Sequence, residues 1–374
     1  MIYPYKKGIE MKKILTIGSA MQDVFIQYEG VETLHLHTQE EDLAYVCMRA
    51  GRKIEIKSLE YYCGGGAANS AVSFARAGFD VSIFCKIGTD QAGDFITKTL
   101  QTENVSTAHV LTTNQTQSGN SFIVPGPQGN SAVLVYRGAN VTITEQQLPE
   151  SAIAQSDQLY ITSLSGPAAP LLIPITKLAK KYNKPVAANP GTSQLHAGAQ
   201  YLKEALSGID ILILNTYEAE LLMTTLSITL PKIEISHAHD NSLPELLKKP
   251  LGSTTTMFTL QQFFTTVHAC GPRIVVVTNG AEGVYACDQQ TIYFHPSIKI
   301  DIVSSIGAGD AFGSCFVAQL SNNATIEDAL RAGIINSACV IQHLGTQTGL
   351  LTIDEINKRR AQTDKNMLKK YRLH

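Results

Sequence analysis

Short runs of aliphatic and β-branched residues recur along the chain, each closed by a turn residue and followed by a stretch whose apolar positions return every three or four residues. The runs lie at 13–18, 81–87, 159–163, 185–189, 209–215 and 273–278, with helical spacing at 67–77, 168–181, 217–222 and 311–320. Strands that are apolar throughout are buried on both faces, and strands separated by helices run parallel. The pattern therefore predicts an α/β fold, an open and mostly parallel sheet with helices over both faces. Two stretches depart from this rhythm. Between 24 and 63, segments such as AYVCMRAG and RKIEIKSLEYY alternate apolar with polar and lack a helical period, which predicts a small β-rich lid. From 230 to 271 the chain is rich in Thr, His and Pro and reads as an insertion. Residues 1–10 precede the strand-like MKKILTIG and read as an N-terminal extension, leaving 11–374 as a single domain.

Composition narrows the ligand class. With 30 Lys and Arg against 32 Asp and Glu, a net charge of −2, the chain carries no global basic field for nucleic acid or an anionic membrane, and a small molecule fits better. No apolar run reaches the ~20 residues of a membrane span, and MIYPYKKGIE lacks the apolar core of a signal peptide. The seven cysteines form no CxxC pair and sit among apolar residues, so they read as reduced core thiols of a cytoplasmic protein. The pairs His35 with His37 and His237 with His239 have no third ligand nearby and read as surface histidines.

The chemistry concentrates where strands meet helices. In KIDIVSSIGAGDAFGSCFVAQL a β-branched run passes into a helix through Gly307, Ala308, Gly309 and Asp310. Such a turn aims unpaired N–H groups outward with the positive end of the helix dipole behind them, a fit for a phosphoryl group. Asp310 stands where a carboxylate can take the proton of an attacking hydroxyl; it would equally serve as a helix cap. Other polar residues sit at strand ends, the edge that faces the ligand crevice in open α/β sheets. These are Asp23, then Asn215 and Glu218 in ILILNTYEAE, and Thr278, Gly280 and Gly283 in VVVTNGAEGVYAC. Gly64, Gly65 and Gly66 open the helical stretch carrying Asn69; a dinucleotide fingerprint would need Gly at that position, which argues against a Rossmann dehydrogenase.

In this order the motifs resemble the PfkB, or ribokinase-like, carbohydrate kinase family from about residue 12 to 356. GAGD followed by a small residue and Phe is similar to its C-terminal signature, the glycines with Asn69 to its N-terminal one, and the strand-end groups to its NxxE and TxGxxG motifs. Gly88 with Asp90, the run from Arg137 to Asn140, and Asn336 are looser matches. The resemblance implies a ribokinase-like three-layer α/β/α sandwich with a lid hinged at the glycines, and ATP-dependent phosphorylation of a hydroxymethyl group on a sugar or sugar-like molecule. It implies Asp310 as general base, the 307–310 turn as anion hole, and Asp23, Gly65, Gly66, Asn69 and Arg137 beside the acceptor. On the ATP side it implies Asn215, Glu218, Thr278, Gly280, Gly283 and Asn336, with Glu218 holding Mg2+ through water, and it makes the lid a candidate homodimer contact.

Two departures matter. Ser304, Ser305 and Ile306 replace the Asp-Thr-x that usually precedes GAGD, which leaves a monovalent-cation requirement open, since Ser304 offers only a neutral oxygen. Met21 replaces an Asn that ribokinase-like relatives use for the sugar, so a nucleoside acceptor, or a catalytically silent ligand-binding relative, stands as an alternative.

Overall fold

The computed structural model describes residues 11–28, 32–37, 42–126, 131–228, 242–252, 256–364 and 367–373. Its strands are β1 (Lys13–Ile17), β2 (Met21–Tyr28), β3 (Glu32–His37), β4 (Asp42–Cys47), β5 (Ile56–Gly64), β6 (Asp80–Gly88), β7 (Val105–Thr113), β8 (Gly119–Pro125), β9 (Ser131–Tyr136), β10 (Gln158–Ile161), β11 (Val186–Ala188), β12 (Ile211–Asn215), β13 (Ile274–Asn279), β14 (Gly283–Cys287), β15 (Thr291–His295) and β16 (Lys369–Arg372). Ten of them form the main sheet in the order β16-β15-β14-β13-β12-β11-β10-β1-β6-β7. All pairs from β13 through to β7 are parallel, and β14, β15 and β16 extend the sheet antiparallel.

Alternation along each parallel strand splits the core into two layers. Leu15 and Ile17, Leu159 and Ile161, Leu212 and Leu214, and Val275 and Val277 bury into one face; Ile14, Tyr160, Ile213 and Val276 bury into the other. Both faces of these strands are therefore covered, which is why they read as unbroken apolar runs rather than as half-polar strands. Truncating a fully buried residue such as Leu15 to Ala would cost about 2–5 kcal/mol.

The chain leaves β1 toward β6 on one side and returns to β10 on the other. The carboxyl ends of β1 and β10 thus flank a topological switch point, where open α/β sheets place ligands. Over this edge lies a second sheet, β5-β2-β8-β9, with β3 and β4 as a separate hairpin. The lid therefore draws half of its main sheet from β8 and β9, residues the sequence pattern had left unassigned beside 24–63. β15 and β16 were likewise not anticipated.

The stretch 230–271 is only partly an insertion. Its end, the helix Leu260–Cys270, buries Leu260, Phe263, Phe264 and Val267 in the main core and is an integral layer of the fold. Residues 229–241 and 253–255, and with them His237 and His239, lie outside the described residues, as do residues 1–10.

Candidate active site

Helix Ala308–Ser321 begins at Gly307, whose φ of 84° is left-handed and whose Cβ, if present, would press to 2.8 Å from Thr346. Only glycine takes this conformation without strain, so the turn that starts the helix is built into the sequence. Among the described residues the N–H groups of Gly307, Gly309 and Asp310 find no acceptor, while that of Ala308 donates to the Ser305 carbonyl. The free N–H groups of this turn are thus those of Gly307, Gly309 and Asp310 and not that of Ala308. Nothing stands within 4 Å of where a Gly309 Cβ would be, so this face of the turn is open.

Asp310, in the first turn, faces the start of helix Gly66–Arg76. The space for a Gly66 Cβ lies 3.4 Å from Asp310 Oδ1, so a larger residue would crowd the carboxylate. Asn69 Nδ2 donates to Asp310 Oδ2 at 2.8 Å. Asn69 Oδ1 accepts from Thr346 Oγ1 at 2.8 Å and from Gln347 Nε2 at 3.1 Å, which fixes which way the amide points. Burial raises the Asp310 carboxyl above its ordinary range, and the Asn69 hydrogen bond opposes that shift. The first-turn N–H groups of helix Gly66–Arg76 are already taken by Ser19, whose carbonyl accepts from Ala67 and Ala68 and whose hydroxyl accepts from Gly66. Of the two facing helix starts, the one at Gly307 is free to bind an anion.

The lid contributes Asp23. Its strand β2 runs between β5 and β8, with Asp23 opposite Tyr62 and Ser121 and Met21 opposite Gly64. A Cβ on Gly64 would collide with the Asp23 carboxylate, and a Cβ on Gly65, at φ 92°, would meet the Ser19 carbonyl at 2.6 Å. These glycines let the lid strand pass directly over the carboxylate and into the helix. The Ser121 hydroxyl donates to Asp23 Oδ1. Burial pushes the Asp23 carboxyl up to about 6, with the Ser121 hydrogen bond pulling it down and the negative Asp310 adding to the rise.

On the far side, Asn215 ends β12 and caps helix Thr216–Leu226: Asn215 Oδ1 accepts from the Glu218 N–H at 2.8 Å, and Glu218 Oε2 accepts from the Asn215 N–H at 2.9 Å. This reciprocal box is a structural cap, and it also sets the Glu218 carboxylate at the crevice. Burial raises Glu218, the Asn215 N–H lowers it, and Asp310 raises it further. Thr278 lies beside Asn215 in register on β13. Gly280 and Gly283 form the turn out of that strand, Gly283 lying against the His295 carbonyl.

Asn336, Asp90 and Gly88 do structural work. Asn336, anticipated beside the nucleotide, is buried in the core: its amide donates to the Ala311 carbonyl at 2.9 Å and accepts from the Leu351 N–H at 2.9 Å, tying two helices and a loop together. Asp90 caps helix Gln91–Thr102 and holds Ser118 at the root of β8, while the Gly88 N–H donates to the Ser118 hydroxyl. Arg137 is exposed and lines a shallow recess with Met21, Ser163 and Ser165 at the crevice rim. Ser304 is buried, and its hydroxyl accepts from the Ile306 N–H at 3.4 Å. The sequence pattern missed Ser121, Asn189, Thr346 and Gln347. Asn189 follows β11, donates to the Ile213 carbonyl and helps lower the Glu218 carboxyl; its place before Pro190 and Gly191 at a strand end was the available signal.

A family model described as pfkB family carbohydrate kinase matches residues 11–353. The chain belongs to this family. It is an ATP-dependent carbohydrate kinase that phosphorylates a sugar hydroxyl. A ribokinase of Staphylococcus aureus is 25% identical over 353 residues, covering 92% of this chain and 99% of the relative. The structure of Arabidopsis thaliana ribokinase complexed with ribose and ATP superposes with a TM-score of 0.73 at 19% identity, covering 94% and 99% of the two chains. A nucleoside kinase of Methanocaldococcus jannaschii, described as an archaeal member of the ribokinase family, reaches 0.68 at 18% identity, covering 95% and 100%. No helix among the described residues is long and apolar enough to cross a membrane.

Proposed function

We propose that the kinase phosphorylates the hydroxymethyl group of a ribose-like sugar, with Asp310 as general base. The observation that carries this reading is the convergence of Asp310, Asn69 and Asp23 beside the open helix start at Gly307. The acceptor would hydrogen-bond Asp23 through its ring hydroxyls, placing its hydroxymethyl oxygen at Asp310. That oxygen attacks the γ-phosphorus as Asp310 takes its proton, and ADP leaves. Burial helps here, because a carboxylate of raised pKa is the stronger base. The N–H groups at the 307–310 turn receive charge spread onto the phosphoryl oxygens. Thr278, Gly280 and Gly283 border the nucleotide, and Asn215 sets Glu218 at its phosphates. Asn69 orients Asp310 and, once acceptor is bound, is within reach of it.

Among the described residues no three acidic, His or Cys side chains form a cluster that would bind a metal directly; Asp310 raises the Asp23 and Glu218 carboxyls, and the hard oxygens of Glu218 suit hydrated Mg2+. Glu218 would hold it through water, where it would screen the triphosphate. Seven free cysteines, five of them buried, agree with a reducing cytoplasm. The exposed apolar face of the lid supports a homodimer. A nucleoside acceptor is the second reading, favoured by Met21 on the inner face of the lid.

The test is ADP formation from Mg-ATP across sugars, sugar phosphates, sugar acids and nucleosides, for the wild type and Asp310→Asn. Acceptor-dependent turnover that falls roughly 10²- to 10⁴-fold in the variant is expected. Undiminished turnover in Asp310→Asn would remove the general base from the mechanism.

A further inference from the structure

A second cavity, of about 590 Å³, lies away from the crevice, at the root of the β3–β4 hairpin where it joins β2 and β5. Small-molecule sites run from about 300 to 1,000 Å³. Its wall carries Arg49, Arg52, Lys53 and Lys57 against Glu32 and Glu55. Arg49, Arg52 and Lys53 have no carboxylate partner among the described residues, so three cations meet at one cavity in a chain whose net charge is −2. Tyr28, half-buried at the end of β2, lines the same wall. The β2–β5 register slips between Gln27 and Tyr28, an irregularity of the kind that re-aims a side chain beside a site.

We propose that this cavity binds a phosphate-bearing small metabolite, whose phosphate meets Arg49, Arg52 and Lys53 and whose organic part lies against Met48, Ile54 and Ile56. Guanidinium groups match phosphate oxygens in pairs, and the three apolar side chains are more than one-third exposed in the absence of a ligand. The occupant would join the far ends of the two lid strands that carry Asp23 and lead to Gly64. Its binding therefore couples to lid position and to acceptor affinity, a coupling that rests on the proposed function where the binding itself does not.

The test titrates the full chain with inorganic pyrophosphate by calorimetry, with the crevice saturated by a non-hydrolysable ATP analogue. Binding that persists with the analogue and weakens about tenfold in Arg52→Ala/Lys53→Ala is expected, with turnover in the absence of pyrophosphate unchanged. Arg49→Gln, at an exposed position on the same wall, carries the test if the double variant fails to fold; weaker binding is expected there too. No binding once the analogue is present, or equal binding in the variants, overturns the site. An acceptor KM that shifts with pyrophosphate in the wild type and not in Arg52→Ala/Lys53→Ala supports the coupling, and a KM unmoved by bound pyrophosphate refutes it while leaving the site.

Discussion

Asp23 shows how the site trades stability for function. Its side chain is 4% exposed, and burial raises its carboxyl from 3.8 to about 6. A carboxyl whose folded pKa exceeds the unfolded one is held more tightly by the folded protein when protonated. The stabilisation is therefore complete below 3.8 and is lost as pH rises through about 6. At neutral pH the ionised group costs roughly 3 kcal/mol against the unfolded chain. Asp23→Asn keeps the shape and an oxygen for the Ser121 hydroxyl but removes the charge. It is expected to raise Tm at pH 7.5, by less as pH falls below 6, and to lower turnover because an amide is a weaker acceptor for sugar hydroxyls. Thermal melts across pH with parallel rates check this; a lower Tm at pH 7.5 would show that the charge is not the destabilising feature.

The same scale marks how far single residues were legible. Asp310, Glu218 and Asp23 could be picked out because each is acidic and follows a strand or a glycine turn. Ser121, Thr346 and Gln347 could not, because only the closing of lid and C-terminal loop brings them to Asp23 and Asn69. Asn336 was misread because a polar residue on an apolar helix has two uses, and here the amide satisfies backbone groups in the core.

At the scale of elements, the helix start at Gly307 separates conformation from access. Gly307 needs a left-handed φ and lies against Thr346, whereas Gly309 has room on every side of its missing Cβ. Gly307→Ala is expected to lose about 1–3 kcal/mol of stability along with activity. Gly309→Ala is expected to keep the wild-type Tm and still lose turnover, because its methyl group would occupy the open face where the phosphoryl group approaches. Circular-dichroism melts with steady-state kinetics distinguish the two, and full activity in Gly309→Ala would move the anion away from this turn. The parallel strands were readable because burial on both faces leaves no polar alternation to misassign. β8 and β9 were not. Phe122 and Leu134 face solvent while Ile123 and Val124 are buried, so the apolar pattern there follows neither a two-sided core strand nor a strictly alternating one.

At the scale of the molecule, the lid presents an apolar surface that the described residues do not cover. Register places Tyr61, Val24, Phe122 and Leu134 in one row across β5, β2, β8 and β9. Val24 is buried, yet Tyr61, Phe122 and Leu134 are 52%, 41% and 63% exposed. The hairpin adds Leu34, Leu36, Leu43 and Tyr45, paired across β3 and β4 and all exposed. An open sheet with such a face invites pairing with another chain, and a second copy supplies an equally apolar partner under twofold symmetry. Sedimentation of the wild type is therefore expected to give a dimer. Leu134→Glu, at the most exposed position in the row, is expected to give a folded monomer, since a charge there meets either water or the apolar face of its partner. A monomeric wild type would mean that this face stays open to water; an unchanged dimer in Leu134→Glu would place the contact elsewhere. The outcome also bears on catalysis, because Asp23 is carried by β2, the strand at the centre of this row, and an association that stiffens the row holds Asp23 in position over Asp310.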